Sequence, residues 1–175
     1  MFGSVAQTLI TGSLSICAQP IDYVELLENE ALSARIIVDQ KLLAFTESRG
    51  NGALAFGPPP VPIDFCADLP NYLCFETSHQ PSNLWNFSIP KRSISVGLTW
   101  NLRGKEFTVS DSYAHGETTK YIVRSVGSSF SHTYLFDDRD GLLMMYSEAR
   151  SETEALQRLY LAKSIGFGSS RCEHK

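Results

Sequence analysis

Ser93-Ile94-Ser95-Val96-Gly97-Leu98-Thr99-Trp100-Asn101-Leu102-Arg103 alternates apolar residues with small or polar ones along its whole length. Successive side chains of a strand point to opposite faces, so the stretch predicts a strand with Ile94, Val96, Leu98, Trp100 and Leu102 on a packed face. Ser93, Ser95, Gly97, Thr99, Asn101 and Arg103 then form an open face. A helix of this sequence would scatter its apolar residues around the circumference. Arg103-Gly104 reads as a tight turn, with glycine supplying a positive φ. That turn sets Trp100 opposite Phe107, Thr99 opposite Thr108 and Leu98 opposite Val109, and a one-residue slip would destroy the match.

Downstream, Tyr121–Val126, His132–Phe136 and Leu142–Ser147 read as further strands, the last two joined by Asp137-Asp138-Arg139-Asp140-Gly141. Alternation in this hairpin puts Leu135, Leu143 and Met145 on one face and Tyr134, Phe136, Leu142 and Met144 on the other. Upstream, Asp22 with Glu25 three residues on resembles a capping box, and Val24, Leu27, Ala31, Ala34 and Val38 follow at helical spacing. Ser151 with Glu154 repeats the pattern before Leu156, Leu159 and Ala162, and Gly166 closes that segment. Leu42–Thr46 and Tyr72–Glu76 read as short strands. The prolines at 58, 59, 60, 62, 70, 81 and 90 mark residues 49–92 as a long irregular segment. The expected fold is therefore α+β, a single domain over residues 1–175. An antiparallel meander of about five strands fills its C-terminal half, and an N-terminal and a C-terminal helix pack on it.

The chain has 175 residues, 43% hydrophobic and 19% charged, with a net charge of −4. These values are those of a folded protein, with no basic footprint for nucleic acid or an anionic membrane. No apolar run approaches the roughly 20 residues of a membrane-spanning helix. Residues 1–21 carry no charge, and Ser15-Ile16-Cys17-Ala18-Gln19 faintly resembles the end of a signal peptide. The basic opening is missing, however, and Gln7, Thr8, Thr11, Gly12 and Ser13 break the apolar core, which favours a cytoplasmic protein over a secreted or periplasmic one. Cys17, Cys66, Cys74 and Cys172 lack the spacing of a zinc site and read as buried thiols; disulfides would accompany export.

No sequence motif names a chemistry, a metal or a cofactor. Asp138-Arg139-Asp140-Gly141 imitates the middle of a calcium loop, but Phe136 and Ser147 stand where ligands are required, so it reads as a turn. His115, His132 and Lys120 form a candidate acid/base set for a small hydrolase or nuclease, conditional on their converging in one cleft. A small-molecule carrier is a further option, with a cavity lined by Phe107, Tyr134, Phe136 and Met144. The leading expectation is a non-enzymatic binding or inhibitor protein that contacts another protein, such as an immunity-like neutraliser of a toxin or nuclease. Its acidity suits a basic partner. The contact candidates are Thr99, Asn101, Thr108 and Ser110 on an unusually uncharged open face, with Asp137, Asp138, Asp140, Glu148 and Glu152 as acidic contacts.

Overall fold

The turn at Arg103 (φ 47°) and Gly104 (φ 85°) forms as its sequence predicts. It sets Trp100 opposite Phe107 and Thr99 opposite Thr108. The two rings stack with centroids 5.6 Å apart. In this computed structural model residues 20–26, 31–48, 54–56, 59–77, 84–127, 130–150 and 155–173 are described. They form strands β1 (Ile21–Leu26), β2 (Ala31–Ile37), β3 (Leu42–Ser48), β4 (Leu54–Phe56), β5 (Val61–Asp64), β6 (Tyr72–Thr77) and β7 (Phe87–Pro90). The chain continues through β8 (Thr99–Leu102), β9 (Lys105–His115), β10 (Thr118–Val126), β11 (Phe130–Asp137), β12 (Gly141–Arg150) and β13 (Ala155–Ala162). The sheet is 13-stranded, in the order β7-β6-β5-β3-β2-β1-β13-β12-β11-β10-β9-β8, with β4 beside β3.

The two end strands meet through side chains rather than a backbone ladder. Trp100 Nε1 on β8 donates to Ser88 Oγ on β7 at 2.7 Å, and across the interior Phe87 of β7 packs against Tyr134 of β11 with centroids 5.0 Å apart. The sheet thus curls into a nearly closed barrel with its seam between β7 and β8, which shields two edges that would otherwise expose unpaired backbone groups.

This architecture corrects the α+β expectation, since among the described residues there is no α-helix. The proposed N-terminal helix is the antiparallel pair β1–β2, with Tyr23 opposite Ala34. Period-two burial replaces the helical stripe: Ile21, Tyr23 and Glu25 face inward, as do Ala34 and Ile36. The proposed C-terminal helix is β13, paired to both β12 and β1. Its expected caps, Ser151 and Glu154, lie outside the described residues. Tertiary pairing overrides local spacing in both places, as it does readily for segments with β-branched and aromatic residues. Residues 49–92, read as irregular apart from one short strand, contribute β4 to β7. Pro62 is accommodated at the start of β5, where the ladder with β3 is only two residues long.

The opening stretch is itself a strand only from Thr99. Positive φ at Ser93 (57°) and Gly97 (86°) breaks the extended backbone, and Val96 is 54% exposed rather than packed, while Gly97 N and Leu98 O still bond the Val109 backbone at 2.8 and 2.9 Å. A second parity error lies in the β11–β12 hairpin, where Leu135 pairs with Met144 but Phe136 with Leu142. The extra residue, Leu143, is a bulge that flips the face of everything beyond it. Leu142 and Met145 are therefore both fully buried inside, whereas Met144 faces outward with its partner Leu161.

The interior is packed by rings from many strands. Trp85, just before β7, contacts Tyr23 at 5.8 Å, Phe45 at 5.8 Å and Tyr160 at 4.9 Å between centroids. It plugs the barrel between β1, β3 and β13. The C-terminal segment crosses the β11–β12 turn so closely that a Cβ on Gly166 would sit 1.9 Å from the Leu142 carbonyl oxygen. Tyr23 fastens this crossing, its hydroxyl donating to Leu142 O at 2.9 Å and accepting from Phe167 N at 3.0 Å. Cys66 and Cys74 form a disulfide with Cα atoms 5.9 Å apart, in place of the two buried thiols expected. Cys17 lies outside the described residues. Among those residues no helix is long and apolar enough to cross a membrane.

Candidate functional site

Where the seam reaches the β8–β9 turn, two adjoining recesses open at the mouth of the barrel. One, of about 190 Å³, is lined by Lys105, Phe107, Ser125, Val126 and Phe130 together with Glu76, Asn86 and Arg103. The other, of about 490 Å³, shares Glu76, Asn86 and Arg103 and adds Ile63, Asp64 and Thr77. Barrel mouths are a common place for ligand sites, and such sites join an apolar lining to a few polar groups. Here Val126 and Phe130 provide an apolar rim, Val126 being 73% exposed. The hydroxyls of Ser125 and Thr77 are buried in the lining without a hydrogen-bond partner. An unmade bond at a buried hydroxyl costs about 1–3 kcal/mol, which makes these two hydroxyls the polar groups of the lining to account for.

Arg103 is held over the shared wall by three carboxylates. Its guanidinium pairs with Glu76, with Asp68 at 3.2 Å and with Asp64 at 3.4 Å. The Arg103 charge is thereby balanced within the protein. Thr77 N donates to Asn86 Oδ1 at 2.8 Å, fixing the Asn86 side chain beside this cluster.

Lys105 is the unusual group. Its partner across the hairpin, Leu102, is buried, so the turn sends the lysine stem inward beside Phe107. The ammonium nitrogen donates to Asn86 O at 2.7 Å and to the Tyr134 hydroxyl at 2.8 Å. It also lies 5.1 Å from the Phe107 ring centroid and 5.3 Å from that of Tyr134. Burial pushes its pKa down to about 7, and the Glu76 carboxylate restrains that fall. Tyr134, fully buried, is pushed well above the usual tyrosine range by the same desolvation and stays neutral.

The residues singled out from sequence are distributed differently. His132 is fully buried in the barrel, level with Ser125 and Ser147 on the neighbouring strands, and its ring stacks on Phe130 at 4.6 Å. Lys120 pairs with Asp137 instead, five residues along β11 from His132, which is about 16 Å at the rise of a strand. His115 is exposed at the far end of β9 opposite Thr118. The structure does not bring these three together. Of the carrier lining, Phe107, Tyr134 and Phe136 do lie inside, but they pack on one another and on Phe87, and Met144 is outside. Only Phe107 reaches the recess.

Thr99, Asn101 and Ser110 are exposed on the outer face, with Thr108 half-buried. Asp137 is buried. Its carboxylate accepts from Lys120, from Thr118 Oγ1 at 2.9 Å and from the backbone N–H groups of Arg139 and Asp140 at 2.9 Å. Desolvation pushes its pKa up, but these bonds outweigh it and hold the group at about 2. Asp138 is exposed, Asp140 pairs with Arg171 at 2.7 Å, and Glu148 is half-buried. Glu152 lies outside the described residues. Among those residues no set of His, Cys, Asp and Glu is placed to hold a metal ion.

Sequence reasoning passed over Glu76, Asn86, Arg103, Lys105 and Ser125. A signal existed for Lys105 alone, because the register that sets Trp100 opposite Phe107 also puts Lys105 on the packed face. Comparison with known proteins gives no match to a family model, a curated protein or a solved structure.

Proposed function

We propose that this is a non-enzymatic binding protein that takes a small, largely apolar molecule bearing a polar group into the recess at the barrel mouth. The observation that carries this reading is the buried Ser125 hydroxyl, without a hydrogen-bond partner, beside the apolar part of the lining made by Leu102, Phe107, Val126 and Phe130. The polar group of the ligand would take the bond that Ser125 lacks, and the apolar body would cover Phe130 and Val126. The test is a fluorescence titration with 1-anilinonaphthalene-8-sulfonate, comparing the wild type with Ser125→Leu, which fills the recess. One saturable site in the wild type, weakened about tenfold or more in the variant (about 1.4 kcal/mol), supports the reading. Equal affinity in both, or no saturation at millimolar probe, contradicts it.

Docking of another protein is a second reading, favoured by the small hydroxyl and amide side chains on the outer face of the β8–β9 hairpin, where Glu106 opposite Asn101 is the charged neighbour. Thr99 and Thr108 place their hydroxyls 3.4 Å apart across the strands there, and Asn101 and Ser110 are exposed beside them. A partner captured stoichiometrically from the native host by the wild type, and lost with Thr108→Arg/Ser110→Arg, is the expected result. Capture that these arginines leave unchanged rules out this surface.

A further inference from the structure

We propose that the wider recess at the barrel mouth is a second binding site, which takes the primary ammonium group of an alkylamine. It shares the wall of Glu76, Asn86 and Arg103 with the narrower recess, but it rests on different residues and binds by different chemistry.

The charge of Arg103 is more than balanced at this wall. Its guanidinium meets Glu76, Asp68 at 3.2 Å and Asp64 at 3.4 Å, so three carboxylates face one cation. Counting the Lys105 ammonium, which donates to Asn86 O in the same wall, one negative charge is still left over. An entering anion would meet that excess and find the guanidinium already engaged, whereas a cation would relieve it. Among the described residues no set of His, Cys, Asp and Glu is placed to hold a metal ion. The cation that suits this wall is therefore one that brings its own N–H donors.

Thr77 is the independent observation. It lines the recess and is 8% exposed, and its Oγ1 is buried without a hydrogen-bond partner. Its backbone N–H donates to Asn86 Oδ1 at 2.8 Å, which holds the residue in place and leaves the hydroxyl unused. Asp64 and Glu76 are cross-strand partners of β5 and β6 and so share a face of that pair. Thr77, the last residue of β6, pairs with Ile63 one step along, and the recess reaches both pairs at the strand end. The lining thus offers two carboxylates and one hydroxyl. A primary ammonium carries three N–H donors and no acceptor, which matches that set. Pro62 and Ile63 form the apolar part of the lining, a surface for the methylene carbons next to the nitrogen. At about 490 Å³ the recess has room for such a chain.

The test is isothermal titration calorimetry of the full chain at pH 7 and low salt. The probes are 1,5-diaminopentane, a free amine, and Nα-acetyl-lysine methylamide, a lysine side chain on a peptide unit, with 1-pentanol as the uncharged control. The expected result is one saturable site for an ammonium probe, the tighter of the two identifying the source, and no site for the alcohol. Thr77→Val removes only the unpartnered hydroxyl, so it should fold as the wild type does. It should weaken binding about tenfold or more, as should Glu76→Gln. Raising NaCl to about 200 mM should also weaken binding, because the carboxylates are partly exposed. Ser125→Leu, which fills the narrower recess, should leave amine affinity unchanged. No saturation by either ammonium probe at millimolar concentration overturns the site, as does an affinity that Thr77→Val leaves intact or that 1-pentanol equals. Amine binding lost in Ser125→Leu but kept in Thr77→Val would move it to the narrower recess and overturn the second site. The two sites fail separately, since binding of 1-anilinonaphthalene-8-sulfonate reports the narrower recess alone.

Discussion

Replacing Lys105 by methionine keeps the apolar stem and removes the ammonium, and its consequence depends on pH in a direction that the structure fixes. The folded-state pKa is depressed from 10.5 to about 7. Between those values the unfolded chain binds a proton that the folded chain has released, so wild-type stability rises with pH across the interval. At 1.36 kcal/mol per pKa unit, about 3 kcal/mol of the linkage falls between pH 6 and pH 9. Lys105→Met lacks this contribution, while every other titrating group is common to both proteins. The measurement is urea unfolding at pH 6, 7, 8 and 9, followed by the fluorescence of Trp85 and Trp100, both buried in the folded chain. The wild type should gain about 3 kcal/mol on the variant from the lowest pH to the highest. A difference that stays within about 0.5 kcal/mol over that range would show that the amine is solvated, and would refute the assignment of Lys105 to the interior.

Four further outcomes follow from the packing. Asp137→Asn should cost about 2 kcal/mol at pH 7, because a carboxylate held at about 2 contributes stability that is present above its unfolded pKa and lost as pH falls through the folded value. Acid unfolding curves of the two proteins should therefore converge near pH 2, and parallel curves would contradict the role given to the Thr118, Lys120 and Arg139–Asp140 bonds. Trp85→Ala should cost about 3–5 kcal/mol in thermal or urea unfolding, since it empties the centre of the ring cluster; a loss below about 1 kcal/mol would mean that the barrel is not plugged there. Gly166→Ala should unfold at markedly lower urea, because its Cβ meets the Leu142 backbone, where relief requires the crossing segments to part. Ser88→Ala should cost about 1–3 kcal/mol by orphaning the buried Trp100 indole N–H. It should also speed hydrogen exchange in β7 and β8 relative to β11, and unchanged exchange would remove this bond from the seam.

The sequence carried the local parts of this fold and lost the parts made by closure. The β8–β9 turn and register are legible because Arg103-Gly104 and the Trp100–Phe107 match are short-range features. β10, β11 and β12 are legible as strands because each combines aromatic and β-branched residues with turn signals at its ends. The β1 strand is not, because its inward set Ile21, Tyr23, Glu25 includes a charge. Burial of Glu25 makes sense only beside Tyr160, whose hydroxyl donates to it at 2.6 Å from 135 residues away. β13 hides for a related reason, since Arg158 lies on the same face as Tyr160 and faces Glu25 at 3.9 Å. The Leu143 bulge leaves no mark in the pattern, and it is why Met144 was assigned to the wrong face. The site repeats the lesson. Lys105 follows from the hairpin register, but Glu76, Asn86 and Ser125 come from distant segments that only the β7–β8 seam brings to one recess.

The most direct test of the central claim, that ligands enter at the barrel mouth, is backbone amide chemical-shift mapping of the full chain titrated with 1-anilinonaphthalene-8-sulfonate. The account predicts saturating shifts at Arg103, Gly104, Lys105, Phe107, Ser125 and Phe130, with the outer strip of Thr99, Asn101 and Ser110 unmoved. Saturating shifts centred on that strip or on the Asp138–Asp140 turn, with the mouth unmoved, would contradict it.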